Sequence, residues 1–186
     1  MTPDNNIMTV GVFTSAMRHL FLIIIITFYI SSCTDNVKSA FEIDIETFFV
    51  IPAGLNSLDS HVFEIFNVPT FIQAINPNAT PENVFSVKAN RGRLTGRFTN
   101  IDYRIVDRIA ITAVSVENPE LELEVFYMDF IPLDQEGDLE MFSSLPEVKE
   151  ILLQENIHLK VKLNFKTFVP SNIETRVLLN FKAFVE

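Results

Sequence analysis

Strict alternation over the last third of the chain is what most constrains its fold. Ile157, Leu159, Val161, Leu163 and Phe165 alternate with His158, Lys160, Lys162, Asn164 and Lys166. After Val169-Pro170-Ser171-Asn172 the pattern resumes with Ile173, Thr175, Val177, Leu179, Phe181, Ala183 and Val185. A period of two puts one apolar and one wet face on a strand, whereas a helix needs a period near 3.6. The two runs and their short connection predict an antiparallel hairpin. The Lys-bearing face of its first strand is expected to pair with Glu174 or to guard an open edge.

The same grammar recurs upstream. Phe41-Glu42-Ile43-Asp44-Ile45-Glu46 alternates, runs into Phe48–Ile51 and stops at Pro52-Ala53-Gly54. His61–Val68 ends at Pro69, and Asn76–Pro81 reads as a loop. Val84–Ala89 and Arg93–Thr99 read as two short strands around Asn90-Arg91-Gly92. Ile105–Glu117 and Leu121–Ile131 flank the turn pair Asn118-Pro119 as a hairpin or corner. Ser144-Leu145-Pro146-Glu147 fits a capping box, followed by Leu145, Val148, Ile151 and Leu152 on one helical face. This helix is expected to cover an open end. The sum is an all-β fold, an antiparallel β-sandwich of immunoglobulin-like or jelly-roll outline with one short helix. Residues 41–186 form a single domain in this reading, with strand order left open. The 18 Phe, without any Trp, are assigned mostly to the core.

The N-terminal segment is of another kind. Leu20–Ile30, LFLIIIITFYI, is eleven residues without a charge, Pro or Gly, and Arg18 precedes it. At about 1.5 Å per residue such a helix falls well short of the roughly 30 Å apolar core of a bilayer. It suits the apolar stretch of a secretory signal instead. Ile30-Ser31-Ser32 then leads into Cys33, the only cysteine. This order resembles the lipobox of bacterial lipoproteins. The resemblance implies that the Cys33 thiol is diacylglycerated, that the chain is cut before it, and that the new amino terminus is acylated. Residues 1–32 would then be a signal peptide and 33–40 a lipidated tether. Residues 1–16 contain Asp4 and no Lys or Arg. They read as a mis-assigned start ahead of Met17 or as an unstructured extension removed with the signal. The resemblance further implies a cell-envelope location, at the outer membrane, held through the lipid. Two or three acyl chains make such attachment stable, since each buried methylene contributes about 0.8 kcal/mol.

Chemistry is sparse by comparison. Fourteen basic against 24 acidic side chains leave a net charge of −10, which argues against nucleic acid as a partner. One cysteine excludes an intramolecular disulfide framework and a Cys-based zinc site. His61 and His158 lack metal-ligand spacing. Asp134, Glu136 and Asp138, with Gly137 between them, are the candidates for Ca²⁺, though the Gly offset is not that of an EF-hand and a solvated acidic loop is the expectation. Arg91, Arg93, Arg97, Arg104 and Arg108 could grip an acidic partner, a sugar acid or phospholipid head groups, or pair internally with Asp102 and Asp107. Tyr103 and Tyr127 are the candidate aromatic faces for a ligand. The expectation is a non-enzymatic, membrane-anchored envelope lipoprotein with no cofactor beyond its lipid. Its sandwich binds another envelope protein. The alternative is a surface module for carbohydrate or an apolar small molecule.

Overall fold

The computed structural model describes residues 40–77, 79–98, 102–135 and 137–185. Cys33, the signal and extension at 1–32, the tether up to residue 39, and Glu136 lie outside the described residues. Eight strands follow: β1 Ala40–Ile51, β2 His61–Pro69, β3 Val84–Gly96, β4 Val106–Ser115, β5 Glu122–Asp129, β6 Leu139–Ser143, β7 Asn156–Phe165 and β8 Ile173–Val185. Two one-turn helices, α1 Ile72–Ile75 and α2 Lys149–Leu152, and a 3-10 turn at Tyr103–Ile105 lie in the connections.

The strands run in the order β1-β8-β3-β6-β5-β4-β7-β2, every ladder antiparallel. One layer is β1-β8-β3-β6 and the other β5-β4-β7-β2, continuous only through a short β5–β6 ladder. At the opposite side β1 and β2 close the gap without a ladder, where the Phe49 and Phe63 rings meet at 5.2 Å. Alternation supplies the interior: Ile43, Ile45, Leu94, Val177, Leu179 and Phe181 from one layer face Ile109, Ile111, Val125, Leu159, Val161 and Leu163 from the other. Apart from the β4–β5 hairpin, each strand crosses to the other layer from the one before it. Eight strands wound this way make a jelly roll.

Several local expectations fail for physical reasons. β7 and β8 are not a hairpin: β7 lies between β4 and β2, β8 between β1 and β3. Alternation decides which face of a strand is buried, not which neighbour its edge finds, and facing layers satisfy both runs equally. Lys160 accordingly pairs with Glu122 across β4, while Glu174 pairs with Arg97. The two short strands around Asn90-Arg91-Gly92 are one strand, β3, whose register against β8 shifts between Ala89 and Arg91 as a bulge. β6, a five-residue strand that buries Leu139 and Met141, occupies part of the segment read as acidic loop.

The capping box does not form. Val148 is the N-cap of α2, and the Ser144 hydroxyl is buried with no partner among the described residues. Glu147 turns to better donors, accepting from Ser86 Oγ at 2.5 Å and the Val87 amide at 2.6 Å. Val148, Ile151 and Leu152 are buried as expected, but Leu145 is 94% exposed. The assignment of Phe mostly to the core fails too. Of the fifteen Phe in the described region only Phe49, Phe126, Phe165 and Phe181 are buried, and eight are exposed.

The fold has two ends. Ala40 enters beside Phe184, with Val84 beside Val185. At this entry end lie the connections 70–83, 116–121 and 144–155. The far end carries the connections 52–60, 97–105, 130–138 and 166–172. At about 3.3 Å per residue, the 12 residues of β1 separate the two by roughly 40 Å.

Candidate interaction surface

The far end is built as one unit. Gly54 donates its amide to Val169 O and Val169 to Leu55 O, both at 3.0 Å. Arg97 donates to Glu174 O, Lys166 to Ile105 O, and Ile131 to Asp107 O. The Lys166 ammonium donates to the Ile131 carbonyl. Three of the loops are thus joined by backbone groups and the fourth, 130–138, by the Lys166 ammonium, which leaves other side chains free to point outward. Leu58, Phe98, Phe130, Leu133 and Phe168 do so, each 60–91% exposed. Arg97 lies over the rings of Phe48 at 4.8 Å and Phe98 at 4.9 Å. Phe130 has a φ of 59°, a left-handed conformation that is an outlier for a bulky side chain. Strain of this kind persists only where surroundings over-determine it, and it is enriched at functional positions.

The flanks behave differently, because their charges satisfy one another. The predicted arginines do not converge. Arg93 pairs with Glu140 at 2.8 Å and Asp138 at 3.5 Å. Within the far-end connection 97–105, Arg104 folds onto Asp102 at 2.6 Å, and that hydrogen bond holds the Asp102 carboxyl below its ordinary range. Arg108 pairs with Asp129 at 2.5 Å. Arg91 and Arg93 meet in a depression of about 400 Å³ on the outer face of β1-β8-β3, with Glu42, Asp44, Glu46 and Asn180. Arg176, hydrogen-bonded to Glu46 there, holds the Glu46 carboxyl low. A second depression of about 480 Å³ lies over β4, β5 and β7, lined by Asp107, Arg108, Glu124, Asp129, Lys162 and Phe130 among others.

The remaining candidates are dispersed. Tyr103 is buried, its hydroxyl directed at that of Thr175, and neither oxygen completes a hydrogen bond among the described residues. Burial pushes its phenol up to about 12. It is a core residue and offers no ligand-binding face. Tyr127 is half-buried on β5 and packs against Phe142 at 6.0 Å. His61 and His158 stand at opposite ends of the β2–β7 ladder, His61 against Phe165 and His158 against Phe66. Asp138 is engaged by Arg93, and among the described residues no group of His, Cys, Asp or Glu is arranged to hold a metal ion.

Sequence reading passed over the far-end aromatics because it assigned Phe to cores. A usable signal was present at Phe168, which falls outside the alternation in the context Thr-Phe-Val-Pro, whereas Phe98 and Phe130 stood near the ends of segments read as strands, Arg93–Thr99 and Leu121–Ile131. An apolar residue in a turn has no core to enter.

Strand order and register define the class, a jelly-roll domain. No family model matches the chain, and no curated protein matches it in sequence. Among solved structures it is similar to a chain from Desmodium yellow mottle tymovirus, at 10% identity and a TM-score of 0.29, covering 80% of this chain and 83% of that one. It is also similar to a chain from infectious bursal disease virus, Gt strain, at 11% identity and a TM-score of 0.33. That match covers 80% of this chain and spans about a third (33%) of the viral one.

Proposed function

We propose that this is a non-enzymatic envelope lipoprotein, anchored at the outer membrane by acylated Cys33, whose jelly roll binds another envelope protein through its far end. The observation that supports this most is the exposed set Leu58, Phe98, Phe130, Leu133 and Phe168 on four loops tied to one another. Aromatic side chains on a preorganised scaffold are what protein interfaces use as anchors. Anchoring adds effective concentration, so a modest contact area suffices between two components confined to one surface.

A photo-crosslinking side chain at position 168 should join the protein to one defined envelope component, whereas the same group at Glu140, on the paired flank, should not. Phe98→Ser with Leu133→Ser should lower recovery of that component about tenfold or more, the loss expected when interface anchors are truncated. Equal crosslinking at both positions, or unchanged recovery, would refute the far-end assignment. The second reading, a carbohydrate-binding module, is favoured by the depression over β4, β5 and β7, where Phe130 stands with Asp107, Glu124, Asp129 and Lys162. Loss of a saccharide-induced NMR shift in Lys162→Ala would support it. An absence of shifts across a glycan panel would remove it.

A further inference from the structure

The entry end is also studded with exposed apolar side chains, and the paired flanks do not account for them. Phe85 opens β3, Leu145 follows Ser144, and Glu147, two residues further on, bonds Ser86, which puts these two apolar groups on neighbouring segments. Phe71 and Ile75 bracket the connection that hydrogen-bonds through Thr70 to Gln154 and Glu155. Val116, on the next connection, donates its amide to Gln154 Oε1. Phe71 has a φ of 53° and is 60% exposed, so a bulky apolar residue is held outward in a conformation that disfavours it. A soluble surface gains nothing from this arrangement.

The chain itself indicates the occupant. Ala40 enters at this end, and seven residue steps separate it from Cys33. Fully extended at no more than about 3.6 Å per step, that leash reaches about 25 Å. A domain standing on its far end would lift Ala40 roughly 40 Å from the bilayer that holds Cys33, beyond the reach of that leash. Resting on the Cys33 anchor proposed above, we infer that the entry end is a membrane-facing surface, with Phe71, Ile75, Phe85, Val116 and Leu145 seated at the level of the lipid head groups. Interfacial apolar groups settle about 5–10 Å into that region, and acyl anchoring makes the encounter intramolecular.

Charge selects the lipid. Glu82, Glu117, Glu120, Glu150 and Glu155 are exposed on the same end, against Lys149, Lys88 and Lys182, the last two side by side on β3 and β8. Such a surface is repelled by anionic head groups and suits a zwitterionic one. Repulsion of this kind fades with salt, over a Debye length of about 10 Å at 0.1 M.

The chain has no Trp, so single Trp variants report position without interference. Phe85→Trp and Phe71→Trp replace exposed rings and should leave the far-ultraviolet circular dichroism unchanged. In the full acylated chain on phosphatidylcholine vesicles, both should emit to the blue and be quenched about twofold by lipids brominated near the head group, while Phe98→Trp stays unquenched. Replacing part of the lipid by phosphatidylglycerol should relieve the quenching at low salt and lose that effect at high salt. Quenching of Phe98→Trp instead, of neither probe, or more strongly by phosphatidylglycerol, overturns the inference. Mass spectrometry of the Cys33 peptide separates the two levels. An acylated chain with unquenched probes defeats only the membrane-facing end, whereas an unacylated Cys33 defeats the anchor and this inference together.

Discussion

Gly92→Ala tests the packing of the two layers at a close approach between β3 and β5. Gly92 sits mid-strand in β3, opposite Met141 of β6 and Leu179 of β8, without a positive φ. Its requirement is space. A Cβ there would stand 2.7 and 2.8 Å from Cδ1 and Cγ of Phe126 and 3.0 Å from Cε of Met141. Carbon atoms prefer about 3.5–4.0 Å, so the ring must retreat by close to 1 Å. Met141 can swing its methyl away. Phe126 cannot easily follow, because it is fully buried and packed edge-on against Phe181 at 5.5 Å. Overpacking of this kind costs about 1–3 kcal/mol. Removing a glycine from a strand returns about 0.5–1 kcal/mol of backbone entropy. Because the ring cannot easily retreat, the cost falls in the upper part of that range, about 2–2.5 kcal/mol, and the net loss is about 1–2 kcal/mol. For a domain of this size that lowers the melting temperature by about 2–8 °C, read by circular dichroism. Phe126→Leu alone should also destabilise, yet combined with Gly92→Ala it should cost at least about 1 kcal/mol less than the sum, since Leu vacates the ring position. Strict additivity, or a Gly92→Ala variant as stable as the parent, would refute the claimed contact.

Three further outcomes follow from buried polar groups and one surface pair. Glu147→Ala strands Ser86 and the Val87 amide, and should cost about 2–4 kcal/mol in urea unfolding, with Glu147→Gln recovering part of it. Tyr103→Phe removes a hydroxyl without a partner and should leave neutral-pH stability unchanged or raise it by up to about 1 kcal/mol. Its larger effect is at alkaline pH: the unfolded phenol ionises near 10 and the native one at about 12, so parental stability falls across that window, by about 2–3 kcal/mol in all, and Tyr103→Phe should lack that component of the fall. Arg176→Gln should let the Glu46 carboxyl titrate at higher pH in an NMR titration. In the parent the stabilisation from that pair is present above the ordinary carboxylate pKa and lost as pH falls through the depressed native value.

Element type was legible wherever one face was buried, and topology was not. The alternation of Ile157–Phe165 and Ile173–Val185 identified two strands and their buried faces correctly, but the same pattern fits adjacent strands and strands on opposed layers. The Asn118-Pro119 pair did announce a true hairpin, β4–β5. Gly92 misled, because a glycine admitting Phe126 looks in sequence like a turn glycine. β6 was hidden because only Leu139 and Met141 alternate within an acidic stretch. The capping box failed because Glu147 finds stronger partners across the fold than in its own turn. The arginines drew attention as a cluster in sequence but spread along β3, a 3-10 turn and β4, and Arg93, Arg97, Arg104 and Arg108 each paired with an acid where they landed. The residues that matter at the candidate surface were visible as letters, yet a Phe in a loop is recognised as exposed only once the core is seen to be full without it.

The distribution of charge bears on how such a molecule meets other surfaces. The pairs Arg93–Glu140, Arg108–Asp129, Arg176–Glu46 and Lys160–Glu122 all sit on the flanks, their side chains 35–59% exposed. Exposed pairs contribute only about 0–1 kcal/mol each, so stability is a poor explanation for so many of them. Their effect is to make the flanks self-satisfied, while Glu42, Asp44 and Glu46 line the strand that ends the sheet and discourage another strand from joining it. Some strand residues, Phe66 and Phe142 among them, are exposed as well, but the apolar side chains more than 70% exposed, Leu58, Phe85, Phe98, Phe130, Leu133 and Leu145, all lie toward the two ends. A jelly roll suits end-on contact because every strand runs between the two ends, so apolar loops at one end are held apart from those at the other by the full length of the sheet. With the lipid-facing and protein-facing roles proposed for them, that separation places the protein contact about 40 Å from the bilayer, set by the 12 residues of β1 rather than by any linker. Shortening the tether between Cys33 and Ala40 would then leave the far contact intact, whereas lengthening it would weaken that contact only through diluted effective concentration.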